Sequence, residues 1–130
     1  MRDETHLWLM QAEEDLKTAR ITLDADRHYA AAYFAQQAAE KGLKALLIER
    51  HGRLPRRTHD LRELAEKAGA PDDWLAGLGK LSRVYLISRY PDLTPGTIPA
   101  RQIDEGTGLS YMQLAEQVLE WVQEQLKTQS

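Results

Sequence analysis

The chain has 130 residues, 42% of them hydrophobic and 28% charged, and its seventeen Lys/Arg and twenty Asp/Glu give a net charge of −3. This length suits one domain with its own core, so we predict a single domain over residues 1–130. The absence of cysteine excludes disulfides, thiol catalysis and cysteine-based metal sites, and the negative charge argues against broad nonspecific binding of nucleic acid.

The amino-terminal residues and the hydropathy pattern bear on location. The first six residues lack the basic-then-apolar plan of a secretion signal. No apolar run reaches the roughly 20 residues that cross a bilayer. We therefore expect a cytoplasmic protein that contacts no membrane and holds no metal or other cofactor.

Two long helices are predicted in the first half of the chain. The first has a stripe at three- and four-residue spacing, formed by Trp8, Ala12, Leu16, Ala19 and Leu23. A turn at residues 24–27 leads into the second, from about His28 to Arg50, which ends at Gly52 before Pro55. Alanines and Gly42 along the second helix predict close packing of a neighbour.

Three further segments complete the pattern. A short third helix spans about Asp60 to Ala68, where Asp60 and Glu63 form a pair that resembles a capping box. The fourth helix, from Asp72 or Asp73 to about Arg89, has the stripe Trp74, Leu78, Leu81 and Tyr85. An aperiodic loop over 93–108 precedes a last helix over about 109–127. These elements predict an all-α fold, an up-and-down four-helix bundle with one additional short helix.

The segment 50–62 reverses the charge of the chain. It holds five of the seventeen Lys/Arg, two of the four His and one Asp, so its net charge is +4 against −7 for the remainder. Arginine has a planar, permanently charged fork that suits phosphate oxygens. We therefore predict phosphate contacts from Arg53, Arg56 and Arg57, with a solvated surface as the alternative.

Arg53 and His59 are candidate catalytic residues within this segment. His59 lies just before the third helix, where the positive end of the helix dipole favours a neutral imidazole. A neutral His could remove a proton from a ribose 2′-hydroxyl while an Arg stabilises charge on the phosphate. This pair predicts metal-independent RNA cleavage as one function.

Two other polar groups could contact ligands or partners. Gln37, Glu40 and Lys44 fall on one face of the second helix, which is either a solvated face or a partner surface. Tyr85, Arg89 and Asp92 lie at the end of the fourth helix, where they either bind a nucleotide or pack and pair to lock the turn.

A metal site is not predicted. His51, His59 and Asp60 are ligand types, yet they lack the i,i+4 spacing that fixes zinc on a helix.

Three motifs together resemble the HEPN domain family, in particular its small single-domain prokaryotic members. They are the Gln-Gln-Ala-Ala-Glu-Lys-Gly-Leu-Lys-Ala-Leu run at 36–46, Thr-His-Asp-Leu at 58–61 and Ser-Arg-Tyr-Pro-Asp at 88–92. The resemblance extends from about Glu4 to Leu126.

The resemblance implies a helical bundle that pairs as a homodimer. It also implies an association with a minimal nucleotidyltransferase in a toxin–antitoxin-like system. Many HEPN proteins are metal-independent endoribonucleases that use an Arg, four to six further residues, and a His. Arg53 and His59 satisfy that spacing, but the family motif usually lies near the start of the last long helix. The later position here has Arg89, which we include as a catalytic candidate.

Two functions follow from these observations. The first is a dimeric interaction module associated with a nucleotide or RNA and with a nucleotidyltransferase. The alternative is an endoribonuclease that uses the Arg/His pair.

Overall fold

The computed structural model describes residues 1–87 and 96–128, and every regular element in these two ranges is helical. No helix within them is both long and apolar enough to cross a membrane. The elements are α1, Asp3–Asp24; α2, His28–His51; α3, Leu61–Ala68; a 3-10 turn, Asp72–Trp74; α4, Leu75–Ser82; α5, Val84–Ile87; α6, Pro99–Gln102; and α7, Glu105–Thr128.

The predicted up-and-down bundle is confirmed. Contacts of Arg2 with Glu49 show that α1 and α2 are antiparallel. Gly77 approaches Leu114 and Trp74 meets Trp121 edge-on, which sets α4 antiparallel to α7. The four members of the bundle are α1, α2, the α4–α5 segment and α7, and α2 contacts each of the others.

Small residues on α2 allow the close packing predicted from sequence. A Cβ placed at Gly42 would clash with the Leu119 side chain of α7, so any larger residue here would require that side chain to shift. Most of the second half of α2 is buried, which makes this helix the centre of the core. The fully buried small side chains on α2 are Ala31, Ala32, Ala35, Ala38, Ala39 and Ala45.

Local signals fix the ends of α2 and α3. Gly52 has φ +76° and ends α2 in the left-handed conformation, as predicted. Asp60 is the N-cap of α3, and its carboxylate accepts from the amides of Arg62 and Glu63. The capping box differs from the prediction, because the Asp60 amide donates to the Thr58 hydroxyl instead of to Glu63.

The predicted fourth helix is interrupted. Residues 72–74 form a 3-10 turn, α4 ends at Ser82, and Arg83 separates it from the single turn of α5. The amides of Arg83 and Leu86 bond to carbonyls three residues back, so the backbone is tighter here than in an α-helix. The last two residues of the predicted helix, 88 and 89, lie outside the described part of the chain.

The predicted loop over 93–108 is partly wrong. Residues 99–102 form α6, with Pro99 at its first position, and α7 begins at Glu105 instead of Leu109. Asp104 supports this earlier start, because its carboxylate accepts from the Thr107 amide at 2.7 Å and its carbonyl accepts from the Gly108 amide. Asp104 itself was the available signal, because aspartate is a favoured N-cap residue. Residues 93–95 lie outside the described part.

Candidate functional site

A buried polar network runs along one face of α2. Gln36, Glu40 and Lys44 follow one another at four-residue spacing, and all three are at least 95% buried. The Glu40 carboxylate accepts from Gln36 Nε2 at 3.0 Å and from Lys44 Nζ at 3.1 Å. Lys44 Nζ also lies 5.7 Å from the centre of the Trp8 ring. The Glu40 charge is therefore paired and hydrogen-bonded inside the bundle, as burial of a charge requires.

His59 joins this network from the loop before α3. Its Nδ1 lies 2.9 Å from Glu40 Oε1, while 41% of its side chain is exposed. The closest charge to the imidazole is thus the Glu40 carboxylate, which the dipole argument from sequence did not include. One side of the ring therefore contacts a buried carboxylate, and the rest of the ring is partly open to solvent.

Tyr85 and Ser82 hold His59 in place. The Tyr85 ring stacks on the imidazole with centroids 4.0 Å apart and planes 15° from parallel. The Ser82 hydroxyl donates to the His59 carbonyl at 2.9 Å and accepts from the Leu61 amide at 2.8 Å. These contacts restrain both the backbone and the ring of His59.

A cleft of about 450 Å³, the His59 cleft, opens beside this stack. Arg83 is its cation among the described residues, and Leu86 is an exposed apolar side chain at its edge. The lining residues are His59, Asp60, Gly79, Ser82, Arg83, Tyr85 and Leu86. The imidazole and phenol rings could stack on a nucleotide base, and the guanidinium could bind a phosphate.

A second depression, the basic groove, has a volume of about 490 Å³ and is lined in part by earlier residues of the same loop. Glu63 pairs with Arg56 at 3.1 Å and with Lys67 at 3.2 Å. The bond from Lys67 is the main reason that the pKa of Glu63 is lowered. The lining residues are Leu47, His51, Arg53, Leu54, Pro55, Arg56 and Lys67.

The five arginines of the basic segment have different surroundings. Arg50 is partly buried and donates to the Ala68 carbonyl, and Arg62 pairs with Glu66. Arg53 and Arg57 are exposed and have no hydrogen bond or ion pair with the described residues. These two cations can therefore bind a phosphate without breaking a contact to the described residues.

The structure brings together some predicted site residues and separates others. His59 and Tyr85 come from different candidate groups and now share one cleft with a contact to Glu40. Arg53 lines the basic groove instead, so the spacing of Arg53 and His59 does not give them a common cleft. Arg89 and Asp92 lie outside the described residues.

The α2 face has a different position from either interpretation of its sequence. Glu40 and Lys44 lie inside the chain and form neither a solvated face nor a surface for a partner. Gln37 is partly buried and donates to Gln36 at 2.6 Å. The predicted Glu40–Lys44 ion pair is present, but both of its charges are buried instead of exposed to solvent.

Three residues of the site were missed from sequence. Gln36 shares the four-residue spacing of Glu40 and Lys44, which was a usable signal. Ser82 and Arg83 carried no signal, because their positions depend on where α3 and α4 meet. Among the described residues, no group of three or more His, Asp or Glu could hold a metal ion.

Comparisons with known proteins agree with this fold. A family described as "HEPN domain" matches residues 5–125. A protein of Methanocaldococcus jannaschii, "Putative toxin MJ1304", is 27% identical over 133 residues, which cover 93% of this chain and 87% of that protein. TT1696 from Thermus thermophilus has a crystal structure with a TM-score of 0.88 and 30% identity, covering 95% and 99% of the two chains. ST0689, "an archaeal HEPN homologue", has a TM-score of 0.80 and 30% identity, covering 95% and 98%.

Proposed function

Because this chain belongs to the HEPN domain family, we propose that it is a dimeric interaction module that binds RNA or a nucleotide. One observation leads to this proposal. The short loop between α2 and α3 lines both the basic groove, through residues 53–56, and the His59 cleft, through residues 59–60. Phosphate-binding and base-binding groups therefore lie a few residues apart on one segment.

The chemistry of the two depressions is complementary. Arg53 in the basic groove and Arg57 on the same loop have no partner among the described residues, so they offer their guanidinium groups to phosphate oxygens. The His59–Tyr85 pair offers aromatic surface, on which bases of single-stranded RNA stack without strict sequence preference. The contact is local, which fits a chain whose net charge is −3.

We also propose that the module works in a toxin–antitoxin-like system with a minimal nucleotidyltransferase. The support is the family and the relative named as a toxin. Copurification of the two proteins after coexpression from neighbouring genes tests the pairing. Recovery of this chain without the nucleotidyltransferase would contradict it.

Exposed apolar residues on α1 support the homodimer. Leu7, Met10 and Ile21 are 66%, 50% and 67% exposed, and they fall on one seven-residue seam with Glu14 and Lys17 between them. An antiparallel copy related by a two-fold axis would place each Glu14 opposite the Lys17 of the other copy. The seam is therefore complementary to itself in both apolar contact and charge.

Binding of labelled single-stranded RNA, measured by fluorescence anisotropy in EDTA, tests the module. We expect the double variant Arg53→Gln/Arg57→Gln to bind more weakly. Its slope of log affinity against log salt should be shallower by about 1.4, because each phosphate contact on a single strand contributes about 0.7.

The matched control is Arg20→Gln/Arg27→Gln, which removes the same charge at the opposite end of the bundle. It should leave the salt slope almost unchanged. Equal losses in both double variants would show that only net charge matters, and absence of binding by the wild type would contradict the proposed function.

The endoribonuclease is a second candidate, favoured by one observation. The Glu40 carboxylate holds the His59 imidazole at the His59 cleft, which is the arrangement by which acids orient a catalytic base. RNA products on a denaturing gel, formed in EDTA, test it. Cleavage should be lost in His59→Ala, and an Arg89→Ala variant tests the other catalytic candidate. An intact RNA after incubation with the wild type would contradict this candidate.

A further inference from the structure

Glu40 is surrounded by hydrogen-bond donors. Oε2 accepts from the Lys44 ammonium at 3.1 Å, and Oε1 accepts from the Gln36 amide at 3.0 Å. The third neighbour is Nδ1 of His59, 2.9 Å from Oε1. An ionised carboxylate can only accept, so the hydrogen of a neutral imidazole must be on Nδ1.

From this arrangement we infer that Glu40 is a positioning residue for His59. It fixes the tautomer that presents Nε2 as a hydrogen-bond acceptor at the His59 cleft. This inference rests on the proposed function and adds a basis for choosing RNA over DNA. Nε2 makes no hydrogen bond to the residues that the structure describes.

Other contacts in the site also restrain the orientation of His59. Ser82 bonds its carbonyl, and Tyr85 covers one face of its ring. Rotation of the imidazole would break its bond to Glu40, and the buried Oε1 would keep the Gln36 amide but lose one of its two donors. The ring is therefore held in one orientation before any ligand arrives.

An acceptor nitrogen at a nucleic-acid site selects a ligand that can donate. The ribose 2′-hydroxyl donates a hydrogen bond, and deoxyribose has no such group. A sugar placed at Nε2 would therefore distinguish the two nucleic acids through one hydrogen bond. The preference for RNA depends on Glu40, although Glu40 itself does not touch the ligand.

Glu40→Gln tests the tautomer because it nearly preserves shape. The Lys44 ammonium can only donate hydrogen bonds, so it should pair with the side-chain oxygen of the new glutamine. The amide NH2 then faces Nδ1 of His59 and donates to it, and the Gln36 amide, which donates to this position in the wild type, must turn its oxygen towards it. The imidazole must move its hydrogen to Nε2, and the acceptor at the cleft is lost.

Nitrogen NMR of the His59 ring, at a pH where the ring is neutral, reads the tautomer directly. We expect the hydrogen on Nδ1 in the wild type and on Nε2 in Glu40→Gln. A wild-type ring with its hydrogen on Nε2, or a tautomer unchanged in the folded variant, would overturn the inference. The wild-type spectrum decides this even if the variant fails to fold.

Asp15→Asn is the matched control. Asp15 is a buried carboxylate that also accepts from a lysine and a glutamine, Lys41 and Gln11, but it does not contact His59. This control should keep the wild-type tautomer. A change of tautomer in Asp15→Asn would show a general loosening of the bundle and would count against a specific role of Glu40.

The functional measurement compares an RNA and a DNA oligonucleotide of the same sequence. The ratio of their affinities should fall by about two- to tenfold in Glu40→Gln, which is the range for one hydrogen bond, and stay unchanged in Asp15→Asn. An unchanged ratio in Glu40→Gln would overturn the link to RNA. If the wild type binds no RNA, the proposed function fails, while the tautomer still decides whether Glu40 positions His59.

Discussion

The Ser82 hydroxyl connects two parts of the chain that are distant in sequence. It bonds the His59 carbonyl and the Leu61 amide, both at the start of α3, from the end of α4. Without Ser82, neither backbone group would have a hydrogen-bond partner among the described residues at this partly buried junction. A single side chain therefore sets the distance between His59 and the wall of its cleft.

Replacement of Ser82 by alanine should lower the free energy of unfolding by about 1–3 kcal/mol, because two backbone groups lose their partner. Urea denaturation of the purified protein measures this. Ser110→Ala, on the exposed side of α7, is the control and should change stability by less than about 0.5 kcal/mol. Equal effects of the two changes would contradict the role of Ser82.

Helix ends show how much structure a single capping residue decides. Asp60 starts α3 and Asp104 precedes α7, and each carboxylate accepts from amides two or three residues later. Such caps satisfy amides that have no partner within the helix. In contrast, α4 ends in a tight turn at Arg83 without a local signal of this kind.

The Asp104 cap makes the start of α7 sensitive to acid. The bond from the Thr107 backbone amide lowers the pKa of Asp104, so this group stabilises the fold above its unfolded pKa. That stabilisation is lost as the pH falls through the lower, folded pKa. The Thr107 amide shift, followed by NMR, should titrate with a midpoint below the ordinary range of aspartate. Asp104→Asn should remove this titration, and a midpoint at or above the ordinary range would contradict the cap.

At the scale of the whole molecule, the proposed homodimer requires a face that can meet a second copy. The seam of Leu7, Met10 and Ile21 on α1 points away from the bundle, because the opposite face of α1 packs on α2 and α7. Leu7 and Met10 are adjacent exposed apolar side chains, and together with the Glu14 and Lys17 charges they give this face groups that a second copy could pair. The α1 seam therefore gives the proposed homodimer a definite geometry.

Sedimentation velocity tests the α1 seam. Met10→Glu should raise the dissociation constant of the dimer by about tenfold or more, because an unpaired carboxylate is costly in an apolar contact. Leu109→Glu, an exposed leucine of α7, is the control and should leave the dimer intact. Glu14→Lys should weaken the dimer and Glu14→Lys/Lys17→Glu should restore it. A dimer that is insensitive to all these changes would exclude the seam.

The sequence by itself determined the fold class, most helix boundaries and the core, because these depend on neighbours in the chain. The stripe of α1, the end of α2 at Gly52 and the cap at Asp60 are all set within a few residues. It also singled out His59, Tyr85 and Glu40 as candidates, although it placed Glu40 on a solvated face or a partner surface. The start of α7 could have been predicted from Asp104.

Only the tertiary structure decided which of these residues meet. His59 lies 19 residues from Glu40 and 26 from Tyr85 along the chain, and their contacts depend on how α3 and α5 pack against α2. The same packing separates Arg53 from His59, although their spacing suggested a pair. Local periodicity places a residue on a face of its helix. The path of the loops and the close approach of the helices determine what that face contacts, and here they bury Glu40 beneath His59.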